Sequence, residues 1–101
     1  MNSPSLHTDH DVAVIQLANP PVNALSHAVR KRIATELAQA EADPAVKAVI
    51  LIGNADFFSA GADVKEFNTP KMTAEPNLTT LTLLLERATK PTIAAISGTA
   101  I

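Results

Sequence analysis

The run Phe57-Phe58-Ser59-Ala60-Gly61-Ala62-Asp63-Val64-Lys65-Glu66-Phe67 brings together an aromatic anchor, a backbone turn and a helix start. Gly61 accepts a positive φ at little steric cost. Asp63, followed three residues later by Glu66, fits a capping box in which Asp63 is the N-cap of a short helix. A chain that turns at Gly61 and enters a helix leaves the N–H groups of residues such as Ala62 without intrahelical acceptors, directed outward from the positive end of the helix dipole. Such a donor suits an oxygen that gains negative charge during a reaction. Turns of this type also open ordinary helices, but two neighbours favour a binding loop. The apolar run Val46 to Ile52 reads as a strand, so the loop leaves a strand's C-terminal end, where open α/β sheets hold ligands. Phe57, Phe58 and Phe67 are also all the aromatic residues of the chain.

Other chemistry is thinner. Asp56, Asp63 and Glu66 share one short segment and are better read as turn and cap residues than as a catalytic acid pair. His7, Asp9, His10 and Asp11 have ligand character, but they suit a turn without any metal, and no distant cluster completes a site; no metal is expected. Arg30, Lys31 and Arg32 sit near a helix N-terminus, the wrong end for its dipole. They read as a solvated patch, with Arg32 and Glu36 at helical spacing, or as a contact for an anionic ligand. With glycine only at 53, 61 and 98, neither phosphate-cradling pattern G-x-G-x-x-G nor G-x-x-x-x-G-K-[ST] can be present.

The elements that must position these residues follow from periodicity. Ser5 to Thr8 and Asp11 to Leu17 flank Asp9-His10 as a hairpin, and Val12 to Leu17 leads into the sheet. Asn19-Pro20-Pro21-Val22-Asn23-Ala24-Leu25 cannot be helical, since two prolines fix the backbone and remove two donors. It forms a rigid loop. Ser26 caps a helix to about Ala42, with Val29, Ile33, Leu37 and Ala40 on one face, and Asp43-Pro44 stops it. Val46 to Ile52 is continuously apolar from Ala48 and predicts a strand buried on both faces. Asn68 to Asn77 reads as a mobile connection. A helix spans about Leu78 to Thr89, with Leu81, Leu84, Leu85 and Ala88 inward and Lys90 favourable to its dipole. Thr92 to Ile96 predicts a further buried strand. The order gives an α/β fold of successive ββα and βαβ units with a largely parallel sheet.

With 101 residues the chain is one domain at most. An apolar fraction of 47% and a charged fraction of 18% are those of a globular protein. A net charge of −2 gives no electrostatic case for nucleic acid or an anionic membrane. There is no cysteine, which excludes disulfides and thiolate metal sites. Met1 to His10 lacks the pattern of a targeting peptide, and no apolar run approaches the ~20 residues of a membrane span. A cytoplasmic protein is expected.

Three segments, in order, resemble the crotonase superfamily, the enoyl-CoA hydratase and isomerase fold: Asn19 to Leu25, Phe58 to Phe67, and Lys90-Pro91-Thr92-Ile93-Ala94-Ala95-Ile96-Ser97-Gly98-Thr99-Ala100. The likeness runs from about Asp11 onwards. The first segment and Asn68-Thr69-Pro70-Lys71 are most similar to the N-terminal part of bifunctional enoyl-CoA hydratase/3-hydroxyacyl-CoA dehydrogenases of fatty-acid β-oxidation. The resemblance implies a lyase whose substrate is an acyl-CoA thioester, with coenzyme A entering as part of the substrate and no separate cofactor. It implies that the Ala62 N–H is one of two oxyanion donors and that Ala60, Gly61, Ala62 and Asp63 line the thioester. Val22 and Ala24 would hold the adenine and pantetheine end through backbone groups. Lys65 would lie near the CoA phosphates or face solvent.

The family continues into a Gly-rich turn with the second donor and then to glutamates that activate water, so residues 1–101 read as an incomplete crotonase-like domain, inactive alone. An uncovered final strand would favour self-association. Two other readings remain open: another CoA-thioester enzyme of the superfamily, such as a hydrolase or isomerase, and a non-catalytic module that binds CoA or associates through its apolar surface.

Overall fold

The computed structural model describes residues 6–101. Strand β1 (Leu6–Asp9) turns at His10 and Asp11 into β2 (Val12–Gln16), and the two pair antiparallel with Asp9 opposite Val12. His10 takes φ 59 at the turn. After the loop 17–25, helix α1 (His27–Ala42) begins at Ser26, whose side chain accepts the Val29 N–H. Strand β3 (Ala48–Ile52) lies parallel to β2, and β5 (Thr92–Ala95) lies parallel to β3 on its other side. The sheet order is therefore β1-β2-β3-β5. Helix α2 (Leu78–Glu86) lies between β3 and β5 in sequence, completing the second βαβ unit.

The core explains the arrangement. Ala13, Ile15 and Leu17 alternate with half-buried residues along β2, and Val49 and Leu51 do the same on β3. The registers Ala13 to Val49 and Ile15 to Leu51 place them on one face of the sheet. Against that face pack Val29, Ile33, Leu37 and Ala40, spaced by one helical turn on α1, together with Leu81 of α2. The opposite face, with Val14, Ile50 and Ile52, is half-buried, so β3 is not the doubly buried strand predicted from its unbroken apolar run. Strand β5, also expected to be buried, is the sheet edge: Ile93 is 49% exposed and Ile96, just beyond it, 58%.

Three further expectations need correction. Helix α2 ends at Glu86, three residues early, and the Glu41 carboxylate holds the segment that follows. It accepts the Thr89 N–H at 3.0 Å, the Thr89 hydroxyl at 2.9 Å and the Lys90 N–H at 3.2 Å. Leu84, expected to point inward, is 43% exposed. Lys90 serves not α2 but α1, donating to the carbonyls of Ala40 at 2.7 Å and Asp43 at 2.6 Å, where the negative end of the α1 dipole lies.

The stretch around Phe57 holds a small second sheet that local pattern did not announce. Strand β4 (Phe57–Ser59) pairs parallel with β6 (Thr99–Ala100), with a register shift between Phe57 and Ser59.

Candidate functional site

Two loops meet at the C-terminal ends of β2 and β3. The Ala60 N–H donates to the Val22 carbonyl at 2.9 Å, and the Leu25 N–H donates to the Gly61 carbonyl at 2.7 Å. Between these backbone bonds sits Asn23, 3% exposed and at φ 55, a conformation asparagine tolerates better than most residues. Its side-chain NH2 donates to the carbonyls of Phe57 and Phe58, and its Oδ1 accepts the Asn19 N–H. The rigid proline loop and the turn are thus one unit. Val22 and Ala24 lie beside Ala60, Gly61 and Ala62.

The turn itself follows its sequence. Gly61 takes φ 88, a conformation that selects glycine, and a Cβ there would lie a tight 3.1 Å from the Ile101 carbonyl oxygen. Asp63 caps a single 3₁₀ turn, Val64–Glu66, accepting the Lys65 N–H at 3.0 Å. The Gly61 carbonyl and the Ala62 N–H belong to one planar trans peptide and point in opposite directions. With the carbonyl held by Leu25, the N–H is aimed away from Leu25. Among the described residues no protein acceptor receives it. Ala62 lines a cleft of about 230 Å³ whose walls include Asp63, Phe67, Met72 and Leu78.

The capping box is only half realised. Glu66 does not reach back to Asp63; its two carboxylate oxygens accept the His27 N–H at 3.1 and 2.9 Å, capping the N-terminus of α1. Oε1 also meets Arg30 Nη1 at 3.3 Å. The acid is therefore committed to structure and is not available as a base.

Arg30 departs furthest from both sequence readings. It is 2% exposed, neither a solvated patch nor a free anion contact. Its guanidinium makes five contacts, with the carbonyls of Leu25, Lys71, Ala74 and Pro76 and the carboxylate of Glu66. The five match its five N–H donors. The connection 68–77, expected to be mobile, is pinned by the last three of those carbonyls and carries a 3₁₀ turn, Pro70–Met72. Arg32 does pair with Glu36 across one turn, at 3.7 Å.

The carbonyls of Val22 and Ala24 already accept one bond each, from the Ala60 N–H and from the Asn19 side chain. Their N–H groups have no protein acceptor among the described residues. Lys65 is exposed and shares a shallow depression with Asp63 and Lys71.

The family model for enoyl-CoA hydratase/isomerase matches residues 7–101. The chain belongs to that family. A probable enoyl-CoA hydratase of Bacillus subtilis is 42% identical over all of this chain and 41% of its own length. The peroxisomal bifunctional enzyme of Danio rerio is 46% identical over 89% of this chain, which corresponds to 12% of that protein. Among solved structures, an enoyl-CoA hydratase/isomerase family protein from Silicibacter pomeroyi superposes with a TM-score of 0.83 at 29% identity, covering 92% of this chain and 41% of the other. This enoyl-CoA hydratase/isomerase chain therefore spans well under half the length of these relatives.

Proposed function

We propose that this chain binds a fatty acyl-CoA thioester and that the Ala62 N–H holds the thioester oxygen as it gains negative charge, within an enoyl-CoA hydratase or isomerase of fatty-acid β-oxidation. The observation that carries the reading is the Ala62 N–H itself, unpaired at a glycine turn and aimed by the Gly61 to Leu25 bond at 2.7 Å. In hydration of a 2,3-enoyl thioester, water loses a proton to a base and its oxygen adds at C3. The electron pair of the double bond moves through C2 onto the thioester oxygen, and a proton delivered to C2 restores the thioester. A donor fixed beforehand stabilises the enolate-like oxygen without having to reorganise. In an isomerase the same oxygen carries the charge after a proton leaves C2. Glu66 does not serve as the base, since both its oxygens are engaged.

Coenzyme A enters as part of the substrate. The unpaired N–H groups of Val22 and Ala24 support backbone contacts to its adenine and pantetheine, along a loop ordered before the ligand arrives. The exposure of Lys65 beside the turn supports a contact with its phosphates.

Titrating the 15N-labelled chain with crotonyl-CoA and, separately, with free CoA tests the reading. The Ala62 amide is expected to move downfield with the thioester only, whereas Val22 and Ala24 respond to both. Shifts at Val22 and Ala24 with Ala62 unmoved by the thioester would leave a CoA-binding module and remove the oxyanion role.

A further inference from the structure

We propose that Arg30 is a positioning residue for the Ala62 N–H, an inference that rests on the oxyanion reading above. It touches neither the thioester oxygen nor any reacting atom. It acts through Leu25. Arg30 Nη1 donates to the Leu25 carbonyl at 2.8 Å, and the Leu25 N–H in turn donates to the Gly61 carbonyl at 2.7 Å. Because the Gly61 carbonyl and the Ala62 N–H share a peptide plane, a rotation of Leu25 is passed to the donor. The same guanidinium fixes the other side of the site. Its bonds to Lys71, Ala74 and Pro76 hold the segment that carries Met72 and leads to Leu78 on the cleft wall. Its contact with Glu66, which caps α1 at His27, ties both to the helix on which Arg30 stands. One buried fork thus sets the distance between the donor and the opposite wall of the cleft.

Two features separate this role from simple packing. The acceptors, four backbone carbonyls and one carboxylate, come from three separate segments (residue 25, residues 71 to 76, and Glu66), so only a planar group with five donors reaches them together. A lysine in that position has three donors on one atom and cannot span them. A charge-only role would survive Arg30→Lys; a fork-geometry role would not.

The test follows the Ala62 amide in the full chain with variants Arg30→Lys, Arg30→Met and Glu66→Gln, each checked for native α1 and β2 amide positions before use. The wild-type chain titrated with crotonyl-CoA first establishes the oxyanion role; an unmoved Ala62 amide there overturns that reading and this inference with it. Given the wild-type shift, Arg30→Met and Arg30→Lys are expected to displace or broaden the free Ala62 amide and to weaken crotonyl-CoA binding by roughly five- to tenfold, with free CoA affected less. Glu66→Gln keeps an acceptor for the His27 N–H but removes the negative charge that faces Arg30, and a smaller change in the same direction is expected. It serves as the deciding variant should neither Arg30 substitution fold. An unchanged Ala62 amide and unchanged crotonyl-CoA affinity in the folded variants, or full rescue by Arg30→Lys, would overturn the positioning role while leaving the oxyanion reading intact.

Discussion

Ser59 donates its hydroxyl to the Asn23 carbonyl at 2.8 Å, and the same oxygen accepts the Gly61 N–H at 2.9 Å. One buried side chain therefore bridges the proline loop and the glycine turn. Ser59→Ala leaves the Asn23 carbonyl and the Gly61 N–H without this partner and is expected to destabilise the fold by ~1–3 kcal/mol. Asn23→Ala is expected to be worse, since it removes one donor from each of the Phe57 and Phe58 carbonyls and the acceptor of the Asn19 N–H, and places alanine at a φ of 55. Urea melts of the two variants check the order. Equal stability of Asn23→Ala and wild type would show that the bridge between the loops is not what holds them.

The Ala62 donor can be removed without breaking any protein hydrogen bond found among the described residues. Ala62→Pro is therefore expected to abolish the thioester-specific response and, in a whole enzyme of the proposed function, to lower kcat by ~10²–10³. Ala62→Ser keeps the amide and is expected to be mild. Asp63→Ala is the control, weakening the cap by about 1 kcal/mol while leaving the donor in place. Measuring kcat beside Tm separates the effects. If Ala62→Pro loses activity only in proportion to folded protein, the oxyanion assignment fails.

Gly61→Ala combines two penalties: a side chain at φ 88 and a Cβ 3.1 Å from the Ile101 carbonyl oxygen. The expected loss is at least ~1–2 kcal/mol, or roughly 4–8 °C of Tm for each kcal/mol in a chain of this size. A thermal melt unchanged within a degree would mean that the turn relaxes freely, and so could not hold Ala62 in place.

Glu41 gives the fold an acid sensitivity with a defined sign. Its pKa is held below the ordinary value of 4.5, first by the Thr89 N–H and then by the Thr89 hydroxyl and the Lys90 N–H. The unfolded chain therefore takes up this proton more readily than the folded one. The stabilisation is present in full above about 4.5 and is lost as pH falls through the lowered folded value. Glu41→Gln is expected to reduce stability at neutral pH and to flatten the stability profile below pH 5. An acid limb as steep as that of the wild type would assign the sensitivity to other carboxylates, such as Glu75, which the Thr80 hydroxyl also shifts downward.

Where local rules sufficed, the sequence was readable. The spacing of Val29, Ile33, Leu37 and Ala40, the Ser26 cap and the positive φ at Gly61 all stand in the structure as residue type and period predict. Charged residues were legible in kind but not in address. Glu66 caps a helix N-terminus and Lys90 a C-terminus, as dipoles require, yet both serve α1 rather than the elements beside them in sequence. Long side chains choose partners in space, and periodicity carries no record of which distant helix end lies within reach. Arg30 was hidden for the same reason: three successive basic residues read as surface, and burial became tolerable only because carbonyls from a distant loop supply acceptors. The β4 and β6 pairing escaped because each strand is too short to show a period.

The bridge between the two loops also fixes an order of events. Asn23 meets Phe57, Phe58 and Ser59 across separations of 34, 35 and 36 residues, and Thr99 must arrive before its N–H can close on the Asp56 carbonyl. Helix α1 closes its own bonds locally, on the fast timescale of helix growth, whereas the turn waits for loop closures of this length. During synthesis at ~5–20 residues per second, α1 emerges seconds before Glu66 and Lys90, the distant residues that bond its two ends. The glycine turn that carries the Ala62 N–H thus forms after α1, and slow emergence of the segment from Thr92 onward would delay that turn more than the helix beneath it.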